Sequence, residues 1–315
     1  MLWGVAVLVL LLAVGAAPGE EEAGPASASD QEPITPIVPA PSDGLLKAML
    51  GERLFQDPRL SGDGSRACSS CHDTRTNGAD ANRRDTALDG SDLPLNTTTV
   101  FNAALNFRLG WEGKIRTLET QAEMSLQSRT TMGADIGSVL ARLNADAEVA
   151  ALFREAYGRG PDRASLLDAI ASYESSLVTP GSPFDRWLSG DATALTAEEQ
   201  HGYRLFKSLG CVSCHQGVNV GGNLLQRHGI FRPLASPNPE ILRVPSLRNV
   251  ATTPPYFHDG SAPTLSDAVR KMAAAQLDRT LSDSQVGLIV AFLNTLTGTY
   301  RGTPVRGAGA AGEQP

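Results

Sequence analysis

The sequence predicts a mostly α-helical chain of two similar domains connected by long loops. Three observations carry that expectation. At 315 residues the chain is about twice the length of an ordinary domain. Two stretches echo each other across 143 positions: Gly51-Glu52-Arg53-Leu54-Phe55 leads into Cys68-Ser69-Ser70-Cys71-His72, and Gly202-Tyr203-Arg204-Leu205-Phe206 leads into Cys211-Val212-Ser213-Cys214-His215. Apolar residues recur at helical spacing, and no run alternates convincingly as a strand does. A hydrophobic share of 41% with 19% charged residues is globular, while 31 Gly and 20 Pro demand many turns. The net charge of -7 offers no basic face for nucleic acid.

The elements follow in chain order. Residues 5–17 (VAVLVLLLAVGAA) have the length and small-residue end of a signal-peptide core, which predicts a signal peptide over 1–18. No Lys or Arg precedes that run, so an uncleaved anchor is the alternative. Residues 19–42 are rich in Pro, Ala, Ser and Glu and read as a disordered linker. A first domain spans 43–185. It includes a helix over 163–178 with an apolar stripe at Leu166, Leu167, Ile170, Tyr173 and Leu177. The Pro, Gly and Asp of 179–191 (TPGSPFDRWLSGD) punctuate a boundary. A second domain spans 186–303, with helices over 264–277 and 282–296, the latter opened by a Ser282/Gln285 capping box. Residues 304–315 read as a disordered tail.

The cysteines decide the chemistry. C-x-x-C-H is the attachment sequence of a c-type haem: two thiols in a short helical turn reach the two porphyrin vinyl groups, and the adjoining imidazole meets the iron. A zinc site would have to gather thiols from two distant segments, and a redox dithiol needs no His beside it. Cys68, Cys71 and His72 are assigned to one haem, and Cys211, Cys214 and His215 to a second. The fold class is then two c-type cytochrome domains, mostly α, each with one covalent haem. Two porphyrins also supply flat apolar surface that an aromatic content of 5% does not. Haem attachment of this kind belongs outside the cytoplasm, so the periplasm is the expected location.

Each iron needs a sixth position. A Met thioether raises the potential and suits electron transfer, whereas an open position admits a small oxidant. The chain has five Met: Met1, Met49, Met124, Met132 and Met272. Met272 shares a helix face with Leu265, Ala268 and Val269, which by spacing alone reads as a core methionine. Its place 57 residues after His215 and just before the last helix assigns it to the second iron. Met124 and Met132 lie in a polar segment, and no His follows His72 within its domain, so the first iron is expected to be open or water-bound.

From Leu45 to Gly298 the chain resembles the bacterial di-haem cytochrome c peroxidase family. The residues that carry the resemblance surround the two motifs in order: Thr99-Val100-Phe101-Asn102-Ala103, Gly110-Trp111-Glu112-Gly113-Lys114, Asn219-Val220-Gly221-Gly222-Asn223 and Val244-Pro245-Ser246-Leu247-Arg248-Asn249-Val250. Most specific is Pro254-Pro255-Tyr256-Phe257-His258-Asp259-Gly260. The resemblance implies hydrogen peroxide as substrate at the first haem and a high-potential His/Met second haem. It also implies a small electron-donor protein, a cytochrome c or copper protein, and a homodimer. Trp111 would couple the haems electronically, where sequence alone reads a buried interface Trp. A calcium ion between the domains would take the Asn96 side chain and the carbonyls of Thr253 and Pro255; on its own Asn96 reads as a turn cap. His258 matches a second-haem packing or propionate partner.

Two positions depart from the family. Leu88 stands where many members have a His that caps the first iron, and leucine cannot ligate iron. Thr131-Met132-Gly133 stands in place of Glu-Met-Gly, so a hydroxyl replaces the carboxylate that serves as acid and base. Loss of such assistance is worth about 10²- to 10⁴-fold; Glu123 and Gln127 are the nearby substitutes. The expected function is a periplasmic di-haem oxidoreductase that reduces peroxide to water. The alternatives are a di-haem enzyme that oxidises side chains of a partner protein, a class in which one member has Tyr instead of the axial Met, and a two-haem electron carrier or sensor without turnover.

Overall fold

The computed structural model describes residue 1 and residues 32–40 and 44–308. The signal peptide expected over 1–18 lies outside the described residues except for Met1, as do residues 309–315 of the expected tail. Among the described residues no helix is long and apolar enough to cross a membrane.

A pair of helices crossing at a glycine forms the centre of each domain. In the first, α1 (Leu45–Phe55) packs on α5 (Arg163–Ser176), with α2 (Leu118–Gln127), α3 (Ile136–Ala145) and α4 (Ala147–Tyr157) between them in sequence. In the second, α7 (Ala197–Ser208) packs on α9 (Asp283–Asn294), accompanied by α6 (Pro183–Leu188) and α8 (Leu265–Leu277). Local signals set the helix starts: Asp162 and Ser282 cap α5 and α9 through capping boxes, and the Thr264 hydroxyl accepts from the Asp267 amide to open α8. The stripe read for α5 is buried at Leu166, Leu167, Ile170 and Tyr173.

The crossings leave no room for a side chain. A Cβ on Gly51 would come within 1.9 Å of the Ala169 carbonyl oxygen, and one on Gly202 within 2.0 Å of the Leu288 carbonyl oxygen. Four residues after each glycine, Phe55 and Phe206 place their ring centroids 6.4 Å from the His72 and His215 rings respectively. The duplication visible in the sequence is thus a duplicated support for two imidazoles. The first core is mainly aliphatic, with Leu54, Leu60, Leu126, Leu143, Leu166 and Ile170 around Phe153. The second gathers Phe184, Tyr203, Phe206 and Phe292 in mutual ring contact.

Two short antiparallel ribbons supplement the helices, where the sequence offered no convincing strand: β1 (Leu225–Arg227) with β2 (Ile241–Arg243), and β3 (Thr299–Tyr300) with β4 (Thr303–Pro304). The second ribbon ties the domains together, with Val305 joining Phe55, Val100, Phe101, Tyr173 and Leu177 in one buried cluster. The tail expected from residue 304 is therefore packed through Val305, because one apolar residue finds a ready cleft.

Two further boundaries differ from the sequence expectation. The stretch 179–191 contains α6, whose Phe184 is fully buried and whose Asp185 forms an enclosed ion pair with Arg248 at 2.7 Å. Its Pro183, which read as loop punctuation, is the first residue of the helix behind a Ser182 cap. Residues 32–40, read as disordered linker, form a strap on the second domain. Ile34 and Ile37 are buried, the Pro33 carbonyl accepts from the Gly217 amide at 2.8 Å, and the Thr35 carbonyl accepts from Arg248 at 2.9 Å. Glu32 pairs with Lys207 at 2.9 Å. Composition rightly denies this segment a helix, yet two isoleucines and a few backbone groups suffice to dock it.

Replacing either crossing glycine tests this architecture. Gly51→Ala and Gly202→Ala each force two backbones apart and should cost about 2–4 kcal/mol in denaturant unfolding. Gly287→Ala, on α9 with nothing within 4 Å of the added carbon, should instead stabilise by about 0.5–1 kcal/mol. Equal effects at all three positions would contradict the crossing geometry.

Candidate haem sites

Each C-x-x-C-H opens in one turn of 3₁₀ helix, Cys68–Ser70 and Cys211–Ser213. The His72 and His215 amides donate to the Cys68 and Cys211 carbonyls at 3.0 Å, so both thiols and the imidazole project from a single tight turn. All four thiols are free. Burial pushes the Cys68 and Cys71 thiols up to about 12 and that of Cys211 to about 11. The His72 Nδ1 lies 3.3 Å from the Gly78 carbonyl oxygen, and the His215 Nδ1 lies 3.3 Å from that of Val220. An N–H at Nδ1 donating to that carbonyl leaves the Nε2 lone pair for a metal. Burial lowers the pKa of both imidazoles, that of His215 to about 4, so both are neutral at physiological pH. Close backbone approach completes the second cradle: a Cβ on Gly221 would lie 2.2 Å from the Pro245 carbonyl oxygen and 3.4 Å from His215 Nδ1.

Cys68, Cys71 and His72 line one cavity of about 210 Å³. Its polar lining includes Gln121, Ser125, Thr131 and Glu174. The Thr131 hydroxyl donates to the Ser125 carbonyl at 2.8 Å, and Gln121 Nε2 donates to the Ser125 hydroxyl at 3.1 Å. Gln121 Oε1 and Glu174 Oε2 are buried without a partner. Glu174 is the one carboxylate among the lining residues, and burial, with Glu119 nearby, raises its pKa to about 8. Met132 also lines this cavity and is packed into the first core, whereas Met124 is 52% exposed. Leu88 is not among the lining residues; its amide donates to the Thr130 carbonyl at 3.1 Å and its methyl group abuts Gly133. Glu123 is ion-paired with Arg163 and Gln127 is exposed, and neither lines the cavity.

A second cavity, of about 270 Å³, is lined by Cys211, Cys214, His215 and Met272 together with Trp111, His228 and His258. Trp111 Nε1 donates to the Asn96 carbonyl at 2.7 Å, and its ring stands 6.2 Å from that of His258. His258 Nε2 lies 3.0 Å from the Ser236 carbonyl oxygen. Asn96, Thr253 and Pro255 share this lining, and Asn96 Nδ2 donates to the Asn82 and Arg83 carbonyls at 3.1 and 3.2 Å. The wall between the cavities is common to both and consists of Thr97, Thr98, Thr99, Asn106 and Arg243.

The oriented imidazoles, the glycine-lined cradle and the orphaned polar atoms fit one covalent haem per cavity. Several lining residues escaped the sequence analysis, among them Gln121, Glu174 and Arg243. A signal existed for Glu174 and Arg243. Glu174 falls four residues after Ile170, on the apolar stripe of α5, and Arg243 interrupts the apolar run Ile241-Leu242-Val244.

Comparison with known proteins bears on the family and the fold. The di-haem cytochrome c peroxidase family matches residues 46–193, and the cytochrome c family matches residues 199–297. The chain is 38% identical over 288 residues to cytochrome c551 peroxidase of Nitrosomonas europaea, covering 85% of this chain and 84% of the relative. It is 37% identical over 287 residues to cytochrome c peroxidase Ccp of Escherichia coli, covering 85% of this chain and 62% of the relative. Among solved structures, a MauG-like protein associated with microbial copper homeostasis aligns with a TM-score of 0.72 at 28% identity, over 84% of this chain and 93% of that one.

The buried carboxyl yields a pH test. Glu174 keeps its proton to about pH 8 in the folded chain but releases it near 4.5 once unfolded. Its contribution to stability is therefore complete below the unfolded value and is lost as pH rises through about 8. Between about pH 5 and pH 8 the unfolding midpoint should fall more steeply for the parent protein than for Glu174→Gln. Parallel curves would show the carboxyl to be solvated.

Proposed function

The chain belongs to the di-haem cytochrome c peroxidase family, and from that premise we propose that it is a periplasmic enzyme reducing hydrogen peroxide to water at the first haem site, with electrons from a small donor protein entering through the second. The observation that carries the proposal is the asymmetry of the cavities. Met272 lines the second cavity with His215, whereas the first brings Gln121, Ser125 and Thr131 into its lining with no His besides His72, and its methionine, Met132, is packed into the first core.

When bound, haem iron supplies the redox chemistry, which consumes one peroxide, two protons and two electrons and yields two waters. The chain supplies the rest. His72 and His215, each oriented through Nδ1, would hold the two irons, and Met272 would be a further ligand at the electron-entry site. Leu88, packed on Gly133, leaves the first site uncapped. Thr131, its proton committed to the Ser125 carbonyl, presents oxygen lone pairs that orient peroxide or water, as does the Gln121 amide. Trp111, fixed by Asn96, carries electrons from the second cavity toward the shared wall. Asn96 Oδ1 with the Thr253 and Pro255 carbonyls forms a set of neutral oxygen donors for calcium.

A second reading, oxidation of side chains in a partner protein, draws support from Thr131: without a carboxylate there, peroxide cleavage and donor turnover are less tightly joined. One purified preparation discriminates. Elemental analysis should find two irons and one calcium per chain. The fully oxidised spectrum should show one high-spin and one low-spin haem, with the high-spin signal changed by stoichiometric peroxide. Steady turnover with a reduced cytochrome c or copper protein supports the peroxidase; a peroxide response without donor turnover favours the partner-protein reading. Two low-spin haems indifferent to peroxide would exclude both and leave a carrier or sensor.

Met272→Ala should lower the potential of the second haem and leave the first-haem spectrum as it was. An unchanged potential in a redox titration would remove Met272 as a ligand.

A further inference from the structure

Arg243 is a buried cation with no anion paired to it among the described residues. It is 5% exposed, at the end of β2, among Leu242 and Val244, which are also buried. Its Nε donates to the Gly110 carbonyl at 3.2 Å and its Nη1 to the Asn106 side-chain oxygen at 3.2 Å, both neutral acceptors. The contrast with Arg248 is direct: that guanidinium is equally enclosed and lies 2.7 Å from the Asp185 carboxylate. Enclosure alone pulls Arg243 down to about 10, still protonated at neutral pH. An enclosed charge without a counter-charge is costly and is retained where something supplies the opposite sign.

Its position names the source. Arg243 lines both cavities, and the other four residues of that shared wall, Thr97, Thr98, Thr99 and Asn106, are neutral. The only carboxylate lining the first cavity, Glu174, is held protonated. The groups that enter these cavities on the two-haem reading each carry two carboxylates on one edge of the porphyrin. We infer that Arg243 is the common counter-ion of the two haems, binding a carboxylate of each at the wall between the cavities and raising the reduction potential of both. This deepens the two-haem reading and rests on it.

Arg243 would then hold one carboxylate from each group at the wall the cavities share. A fixed positive charge near both irons favours the reduced state, which carries one positive charge fewer. The residue thereby tunes two redox centres at once, independently of how peroxide is handled.

The test is a redox titration of the holoprotein that resolves the two haems by their spectra, after iron analysis has shown two haems per chain. In Arg243→Gln the reduced-to-oxidised ratio at a fixed applied potential should fall about tenfold for each haem, a shift of about 59 mV. Arg243→Lys should restore most of it. A shift confined to one haem would overturn the shared role, and no shift at either would overturn the assignment altogether. Should Arg243→Gln not take up both haems, Arg243→Lys decides: loss of the planar fork should move the propionate bending bands of both haems in resonance Raman spectra, and unmoved bands overturn the inference. Peroxide turnover is not read at any point, so failure of the peroxidase proposal would leave these outcomes intact.

Discussion

Backbone-to-backbone contact at Gly51 and Gly202 is the constraint on which the rest of this protein depends. It allows α1 onto α5 and α7 onto α9 at a separation no side chain would permit. That separation sets where Phe55 and Phe206 stand, and those rings set one wall of each imidazole site. Everything chemical then hangs on a single turn of 3₁₀ helix whose anchor is a helix crossing several residues away.

Around this duplicated frame the two sites diverge by their polar groups. Most buried charge in the molecule is answered within the chain, as Asp185 answers Arg248. At the cavities it is not. Glu174 Oε2 and Gln121 Oε1 at the first cavity and His228 Nδ1 at the second have no partner in the polypeptide, and Arg243 has only neutral ones. Orphaned polar groups are rare in folded proteins because each is expensive. Three of the six such atoms among the described residues, on Gln121, Glu174 and His228, line the two cavities, which is where cofactors would supply the missing partners.

Much of this was legible in the sequence where the determinant is local. The two C-x-x-C-H turns, the Ser282 capping box and the apolar stripe of α5 are each contained in a few neighbouring residues, and the fold class follows from them. Met272 required order along the chain as well as spacing. What escaped depends on partners remote in sequence. Asp185 reads as a turn residue until Arg248 is placed beside it, and Ile34 reads as part of a Pro-rich tether until the groove under it exists. Glu174 and Arg243 were visible only as interruptions of apolar patterns, which signal burial without naming the partner. The substitutions at Leu88 and Thr131 were readable against the family, but only the structure shows Leu88 resting on Gly133 and the Thr131 hydroxyl bound to Ser125.

The strap of residues 32–40 bears on the order in which the molecule is built. Thr35 and Arg248 are separated by 213 positions, so a segment among the earliest to be synthesised has no place to dock until most of the chain has been made. Contacts of such long range are formed late, because the loop between them must close first. The groove that receives Ile34 and Ile37 thus stays open to water while both haem turns are already present. Residues 32–40 serve as a latch that can close only after the groove beneath them has formed.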